Sequence, residues 1–340
     1  MGEGRAGMSA GERERRWARW GARLAACVAV LTAVVSGGIG TAHAEWPERP
    51  VTLIVPSGAG GGTDQTGRLL AAALEERFGQ PFTVVNQGQG GGVVGIRAIR
   101  DAPPDGYTLG ILYNFAHYKA LGQADFEPAD FTPIAQYNFD PAAVQVRADA
   151  PWPDLPAALE ALRADPETYP VACAGGCGGS WPMAIASLFA TEGVDLARVR
   201  MIPSQGAAAS LQDLVAGGVA VVPCSLPEAR GLLQAGMVRA LAVFGEERQP
   251  AFPDVPTVAE TMGEARALGA WRGVVGPAGL PEKVAGRLET AMDAIVHDPA
   301  FREAMAAGGF GLAWRDATAF EAFMAAEAEA VRTLIPRLGL

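Results

Sequence analysis

Apolar runs alternate with stretches of helical spacing along the first third of the chain. Residues 50–55 form an apolar, β-branched run, and Leu70 and Leu74 recur one helical turn apart in the stretch that follows. Because strands that alternate with helices usually pair in parallel, this order predicts a parallel sheet with helical crossovers. The predicted elements here are strands over 50–55, 81–86 and 107–112 and helices over 64–78 and 93–101.

A second set of elements follows Pro151-Trp152-Pro153, where the two prolines indicate a boundary. Two α/β blocks, with a chain that crosses between them, fit the order of the elements better than one large sheet. The remaining predicted elements are strands over 134–137, 143–146, 170–172, 199–202, 219–222, 238–243 and 273–275 and helices over 155–162, 184–192, 207–216, 227–235, 258–261, 281–297, 300–307 and 317–334.

The first strand runs into a glycine loop that opens the first helix. A helix start leaves backbone N–H groups unpaired and carries partial positive charge, and glycines let a ligand approach those groups closely. The pattern therefore predicts an anion-binding site that needs no Lys or Arg. Asp64 has three possible roles, which are to cap the helix, to contact a ligand amine or to accept a hydroxyl proton. The loop and helix start contain Ser57, Gly58, Gly61, Gly62, Thr63 and Asp64.

Two further segments also favour a small ligand. Residues 90–95 read G-x-G-x-x-G, but the strand that follows does not end in the acidic residue of a dinucleotide site, so we expect no nicotinamide cofactor. That strand runs into Tyr113 and Asn114. Ligands of parallel sheets lie at the carboxyl ends of the strands, and Asn114 can donate to a carboxylate.

The third glycine loop is CAGGCGGS over 173–180, and the sequence does not decide how its cysteines pair. Cys173 can pair with Cys177 and stiffen the loop, Cys177 can pair with Cys224, or all three can be buried thiols. No second cysteine pair has the spacing of a structural zinc site, so we expect no metal.

Charge and motifs exclude several function classes. The formal net charge is −10, and a surface this acidic repels nucleic acid and anionic lipid. No phosphate-binding loop with its Lys is present, and Ser180 is not followed by the glycine of a nucleophile elbow. We therefore expect a protein that binds without catalysis, cofactor or nucleic acid.

Residues 1–44 are expected to be a secretory signal peptide. Arg15, Arg16 and Arg19 give a charged start, residues 24–35 are apolar but too short for a confident membrane span, and Ala42-His43-Ala44 offers a cleavage site. Cleavage after Ala44 would release a soluble protein into the periplasm.

Several segments taken together resemble the periplasmic solute receptors of tripartite tricarboxylate transporters, the Bug family. The segments that carry the resemblance are VTLIVPSGAGGGTDQTG, APPDGYTLGIL, LVAGGVAVV and GPAGLPEKV, and the match extends over nearly all of residues 45–340. Departures from the family's usual sequence at Ser57, Met183 and Ala220 remove charge and bulk near the expected cleft. They argue against a citrate-like ligand.

The resemblance implies a two-lobed α/β fold, the type II or Venus-flytrap fold of periplasmic binding proteins, with a carboxylate held between glycine loops of both lobes. Lobe 1 would comprise residues 45–145 and 243–340 and lobe 2 residues 146–242, each a mostly parallel sheet flanked by helices. Glu228, at the start of the helix over 227–235, is also expected to face either the cleft or the transporter partner. The expected ligand-binding residues are Ser57, Gly58, Gly61, Gly62, Thr63, Asp64, Asn86, Tyr113, Asn114, Gly176, Cys177, Gly178, Gly179, Ser180 and Glu228.

The implied function is that of a monomeric receptor that delivers a small organic carboxylate to the membrane subunits of a transporter. Two alternatives remain at this point. A signalling receptor would present its closed form to a sensor kinase. An exported hydrolase would use Ser180 or Cys177 as its nucleophile, but the sequence offers no base for it.

Overall fold

The computed structural model describes residues 10, 11, 17, 45–174, 177, 179–264 and 268–335. The chain divides into one unit of residues 1–46 and another of residues 47–340. In the first unit, residues 10, 11 and 17 are helical, and the rest of the expected signal peptide lies outside the described residues. Within the described ranges, no helix has the length and apolar character needed to cross a membrane.

The second unit contains every strand discussed below. They are β1 (Val51–Val55), β2 (Phe82–Asn86), β3 (Thr108–Leu112), β4 (Phe131–Pro141), β5 (Ala143–Arg147), β6 (Val171–Ala174), β7 (Met201–Ser204), β8 (Val221–Cys224), β9 (Val238–Val243), β10 (Gly269–Pro277) and β11 (Leu312–Arg315).

The α-helices of this unit flank the strands. They are α1 (Gly62–Phe78), α2 (Val93–Arg100), α3 (His117–Ala120), α4 (Leu155–Ala164), α5 (Ser180–Thr191), α6 (Ala207–Ala216), α7 (Leu226–Gln234), α8 (Val258–Met262), α9 (Glu282–His297), α10 (Pro299–Gly308) and α11 (Ala317–Leu334).

The strands form two sheets, one in each lobe. The first sheet has the order β11-β4-β10-β3-β1-β2 and the second the order β7-β6-β8-β5-β9. The prediction of two α/β lobes is confirmed. The predicted limits at 145/146 and 242/243 fall inside β5 and β9, which both belong to the second sheet, and the exact division of the lobes stays a prediction.

The expectation of mostly parallel sheets is wrong, because both sheets are mixed. β1 pairs in parallel with β2 and β3, and β6 with β7 and β8. β10 runs antiparallel to β3 and β4, and β5 runs antiparallel to β8 and β9. β5 and β10 are the strands by which the chain enters each sheet from the other lobe, and both run against the direction of the βαβ units. β11 also runs antiparallel to its neighbour β4.

Each sheet has its own buried apolar cluster. Leu159, Leu188 and Val221 belong to the cluster of the second sheet. Trp271 and Phe320 belong to a cluster on the first sheet, where the Trp271 ring meets the ring of Phe320 edge to face at 5.4 Å between centroids. Each lobe therefore has a core of its own, and a smaller cluster of Met183, Ala186 and Ile335 joins the two lobes.

The last glycine of the G-x-G-x-x-G segment is required for packing. A Cβ at Gly95 would lie 2.6 Å from the carbonyl oxygen of Gln87 and 2.8 Å from Cα of Pro56. These neighbours are backbone atoms, which cannot rotate away. Gly95 therefore lets α2 lie directly against the chain that leaves β1, where the first glycine loop begins.

Replacing Gly95 by Ala is expected to lower the free energy of unfolding by about 1–3 kcal/mol, since overpacking forces the backbone to shift. Gly286→Ala is the matched control, because Gly286 also lies in a helix and its added Cβ would meet nothing within 4 Å. That control is expected to gain up to about 1 kcal/mol. Urea unfolding of both variants would measure the difference, and equal effects would contradict this role of Gly95.

Candidate functional site

Three helix N-termini meet at a cavity between the two lobes, the interlobe cavity. α1 belongs to the first lobe, and α5 and α6 belong to the second. The cavity encloses about 40 Å³, room for only a few water molecules. It is lined by Ser57, Gly61, Gly62, Thr63, Tyr113, Ala174, Gly179, Ser180, Trp181, Gly206, Ala207, Glu228, Ala270 and Arg272.

The three helices that point at the cavity begin differently from several others. Their N-cap residues are Gly61, Gly179 and Gly206, and a glycine has no side chain with which to cap its own helix. Asp154 and Asp316, by contrast, cap α4 and α11 with their carboxylates. Because uncapped N-termini present backbone donors and partial positive charge, the cavity wall suits an anion.

One of these N-termini already has an anion from the protein itself. Gly62 N donates to Oε1 of Glu228 at 2.7 Å, and Oε2 of Glu228 accepts from the backbone N and the hydroxyl of Ser225, both at 3.1 Å. The Glu228 side chain is only 4% exposed. A carboxylate of the second lobe thus occupies the position that the sequence pattern assigned to a ligand, and it joins the lobes.

A buried arginine that sequence reasoning missed lies behind the cavity. Arg272 donates from Nε to the hydroxyl of Thr63 at 3.0 Å and from Nη1 to Asp140 at 2.5 Å, and it also donates to Asn138. Its Nη2 lies 3.9 Å from Oε1 of Glu228. Burial works against the charged form, but the charges of Asp140 and Glu228 outweigh it and raise the pKa of Arg272. The one signal in the sequence is a lone Arg inside an apolar strand.

Asp64 and Asn86 brace the first glycine loop from behind and do not line the cavity. Asp64 accepts from Gly60 N at 2.9 Å and from Nδ2 of Asn86 at 3.0 Å, and it pairs with Arg68 at 2.9 Å. Burial would raise the pKa of Asp64, but the hydrogen bonds from Arg68, Gly60 and Asn86 lower it overall. Asp64 does not cap α1, because Gly61 is the N-cap and the carboxylate reaches back to Gly60, and its two other expected roles stay predictions.

Polar side chains connect the cavity to α11. Ser180 donates its hydroxyl to Oδ1 of Asn114 at 2.5 Å, and Asn114 donates from Nδ2 to Oε1 of Glu327 at 2.5 Å. The indole N–H of Trp271 donates to the same oxygen at 2.7 Å. Burial raises the pKa of Glu327 to about 7. Asn114 therefore turns its carbonyl towards the second lobe, whereas the sequence predicts that its amide N–H donates to a ligand carboxylate.

Tyr113 lines the cavity but is already engaged. Its hydroxyl donates to the carbonyl of Pro56 at 2.6 Å, and burial raises its pKa to about 12. The phenol thus holds the end of β1 in place. Ser57 differs, since its buried hydroxyl oxygen has no hydrogen-bond partner among the described residues.

The third glycine loop carries a disulfide between Cys173 and Cys177, whose Cα atoms are 4.6 Å apart. Cys224 is a buried free thiol, and burial raises its pKa. The structure thus selects the first of the three cysteine arrangements. Gly176 and Gly178 lie outside the described residues.

The expected ligand-binding residues that the structure describes divide into two groups. Ser57, Gly61, Gly62, Thr63, Tyr113, Gly179, Ser180 and Glu228 line the interlobe cavity. Gly58, Asp64, Asn86, Asn114 and Cys177 do not line it, and Gly58 instead donates from its backbone N to the carbonyl of Gln205 at 3.1 Å, a second contact between the lobes. In the described part of the chain, no cluster of three or more His, Cys, Asp or Glu side chains could hold a metal ion.

Comparison with known proteins gives consistent matches over most of the chain. A family model described as "Tripartite tricarboxylate transporter family receptor" matches residues 66–340. A Pseudomonas sp. (strain P51) protein, described as a UPF0065 protein in the tcbD–tcbE intergenic region, is 33% identical over 267 residues, which are 76% of this chain and 77% of that protein.

Two solved structures are similar over almost their whole length. The MatC protein of Rhodopseudomonas palustris with bound malate has a TM-score of 0.79 and 28% identity, and the match covers 85% of this chain and 100% of that one. An R. palustris protein with adipate has a TM-score of 0.80 and 27% identity, covering 87% of this chain and 99% of that one.

Proposed function

Because this chain belongs to the tripartite tricarboxylate transporter receptor family, we propose that it captures a small organic carboxylate between its lobes and delivers it to a membrane transporter. Membership confirms the resemblance that the sequence predicts, and with it the periplasmic-binding-protein fold. Malate and adipate in two similar structures support a carboxylate ligand for this chain.

The single observation that carries the proposal is the convergence of three helix N-termini, each with a glycine N-cap, on one cavity between the lobes. Glu228 occupies the N-terminus of α1, whereas those of α5 and α6 have no side-chain cap. The ligand carboxylate binds at these two N-termini and accepts a hydrogen bond from Ser57, whose hydroxyl is buried without a partner.

Ligand entry requires the lobes to move apart, because a cavity of about 40 Å³ is too small for a dicarboxylate such as malate. Hydrogen bonds from Gly58 to Gln205 and from Gly62 to Glu228 hold the lobes together in the structure. A ligand that contacts both lobes only when they are closed shifts the equilibrium towards a closed form.

Catalysis has little support in the site. Ser180 donates to an amide carbonyl, which is not a base, and Cys177 is held in a disulfide, so it offers no thiolate. We therefore propose a receptor that does not transform its ligand and that acts in the periplasm as a monomer, after removal of residues 1–44.

Native purification of residues 45–340 from a periplasmic extract, followed by mass spectrometry of the released small molecule, tests the proposal. A bound carboxylate that raises the melting temperature of stripped protein is the expected result. Recovery of a chemically altered product after incubation would contradict the proposal of simple binding.

Ser57→Ala is expected to weaken binding of that carboxylate about tenfold, which corresponds to one lost hydrogen bond to a charged group. Ser187→Ala is the control, since Ser187 lies on α5 but not in the cavity wall. Titration calorimetry measures both. Equal affinity of Ser57→Ala and the unmodified protein would contradict the placement of the carboxylate.

A further inference from the structure

Glu228 fixes a negative charge in the wall of the interlobe cavity. Three of the roughly four acceptor positions of its carboxylate are taken, one by Gly62 N and two by Ser225. The remaining position is on Oε1, which is also the oxygen nearest to Arg272. The distance of 3.9 Å to Nη2 is too long for a hydrogen bond, so Oε1 can still accept one more donor.

The positive charge of Arg272 is already balanced within the protein. Arg272 is 1% exposed and forms its close ion pair with Asp140, whose side chain is fully buried. Glu228 and Arg272 are the charged residues among the described lining of the cavity. Together with Asp140 they carry a net charge of −1, so the cavity has no uncompensated cation to offer a second carboxylate.

The donors that suit a carboxylate lie elsewhere in the same wall. They are the uncapped N-termini of α5 and α6 and the unpartnered hydroxyl of Ser57. The wall therefore combines one region that favours a negative group with another, at Glu228, that favours a positive one.

We propose that Glu228 makes this receptor selective for a small carboxylate that also carries an ammonium group. The ammonium donates to Oε1 of Glu228, and the carboxylate binds at Ser57 and at the N-termini of α5 and α6. A second carboxylate in place of the ammonium would meet the charge of Glu228 at short range in a site with little water, which is unfavourable. This inference rests on the function proposed above and narrows its ligand class.

The test is titration calorimetry of residues 45–340 with four acids on the same carbon chain, namely butanoate, 2-aminobutanoate, 4-aminobutanoate and succinate. At least one of the two amino acids is expected to bind tenfold or more tightly than both butanoate and succinate. Glu228→Gln keeps an oxygen for Gly62 N but loses the charge. It is expected to reduce the preference for the amino acid over succinate about tenfold, which corresponds to about 1.4 kcal/mol.

Glu260→Gln is the matched control. Glu260 closes the capping box of α8 as Glu228 closes that of α7, but it does not line the cavity. The control is expected to keep the preference of the unmodified protein. Glu228→Asp retains the charge and is expected still to bind the amino acid more tightly than succinate. It takes the place of Glu228→Gln in the test if that variant does not fold.

Tighter binding of succinate than of both amino acids overturns the inference and leaves the carboxylate receptor intact. A preference for the amino acid over succinate that Glu228→Gln leaves unchanged has the same meaning, because it also overturns the inference and leaves the carboxylate receptor intact. Binding of none of the four acids also overturns the inference, and the mass spectrometry of the released molecule tests the proposed function separately.

Discussion

Replacing Arg272 by Met is expected to lower the free energy of unfolding by about 3–5 kcal/mol, because it leaves the buried carboxylate of Asp140 without its counter-charge. Among the residues that the structure describes, Asp140 then keeps only its hydrogen bond from Gly311 N at 2.8 Å. Thr63 and Asn138 also lose a donor. Urea unfolding followed by circular dichroism measures the change.

Two further variants test whether the loss of stability comes from the unpaired buried charge or from the removal of any arginine. Arg198→Met removes an exposed ion pair with Glu167, in which both side chains are at least half exposed, and should cost no more than about 1 kcal/mol. Arg272→Met combined with Asp140→Leu removes both charges and should recover part of the loss. An Arg272→Met protein as stable as Arg198→Met would contradict the buried ion pair.

Glu327 is expected to make the protein less stable as pH rises from about 4.5 to 7. Burial raises the pKa of its carboxyl from 4.5 to about 7 in the folded protein, against hydrogen bonds from Trp271 and Asn114 that lower it. Below pH 4.5 the folded and unfolded chains both hold the proton. Between the two values only the unfolded chain releases it, so unfolding becomes easier, and above pH 7 the penalty is constant.

Glu327→Gln removes this penalty. Between pH 4 and pH 8, the free energy of unfolding of the variant is therefore expected to rise by about 2–3 kcal/mol relative to that of the unmodified protein. Unfolding in urea at several pH values measures the difference between the two proteins. Glu321→Gln, on an exposed position of the same helix, should show no such trend. A difference that stays constant from pH 4 to pH 8 would contradict the buried, protonated carboxyl.

The predicted fold follows from local patterns wherever an element is apolar and bounded by glycine or proline. β1 and α1 are examples, although α1 begins at Gly62 and not at Asp64. β11 was not predicted, because Leu312–Arg315 is short and only half-buried and so carries no clear alternation. β4 and β10 are longer than predicted, because both contain polar residues that are buried only through partners far away in sequence.

The same distinction applies to the site. The glycine loops and the capping-box glutamate at 228 are local features, and the sequence alone placed them near a ligand. Arg272 and Glu327 were missed because their partners, such as Asp140 and Asn114, lie more than a hundred residues away. A charge in an apolar strand or helix shows only that a partner exists and not which residue it is.

The lobes touch through Gly58 and Gln205, through Gly62 and Glu228, and through Asn114 and Ser180, and the protein's own groups make all three contacts. The cargo therefore does not have to supply the whole free energy that holds the lobes shut. A cargo that adds only a few contacts of its own can still shift the equilibrium towards the shut form. The same contacts within the chain must break before the cargo can leave, so they also slow its release.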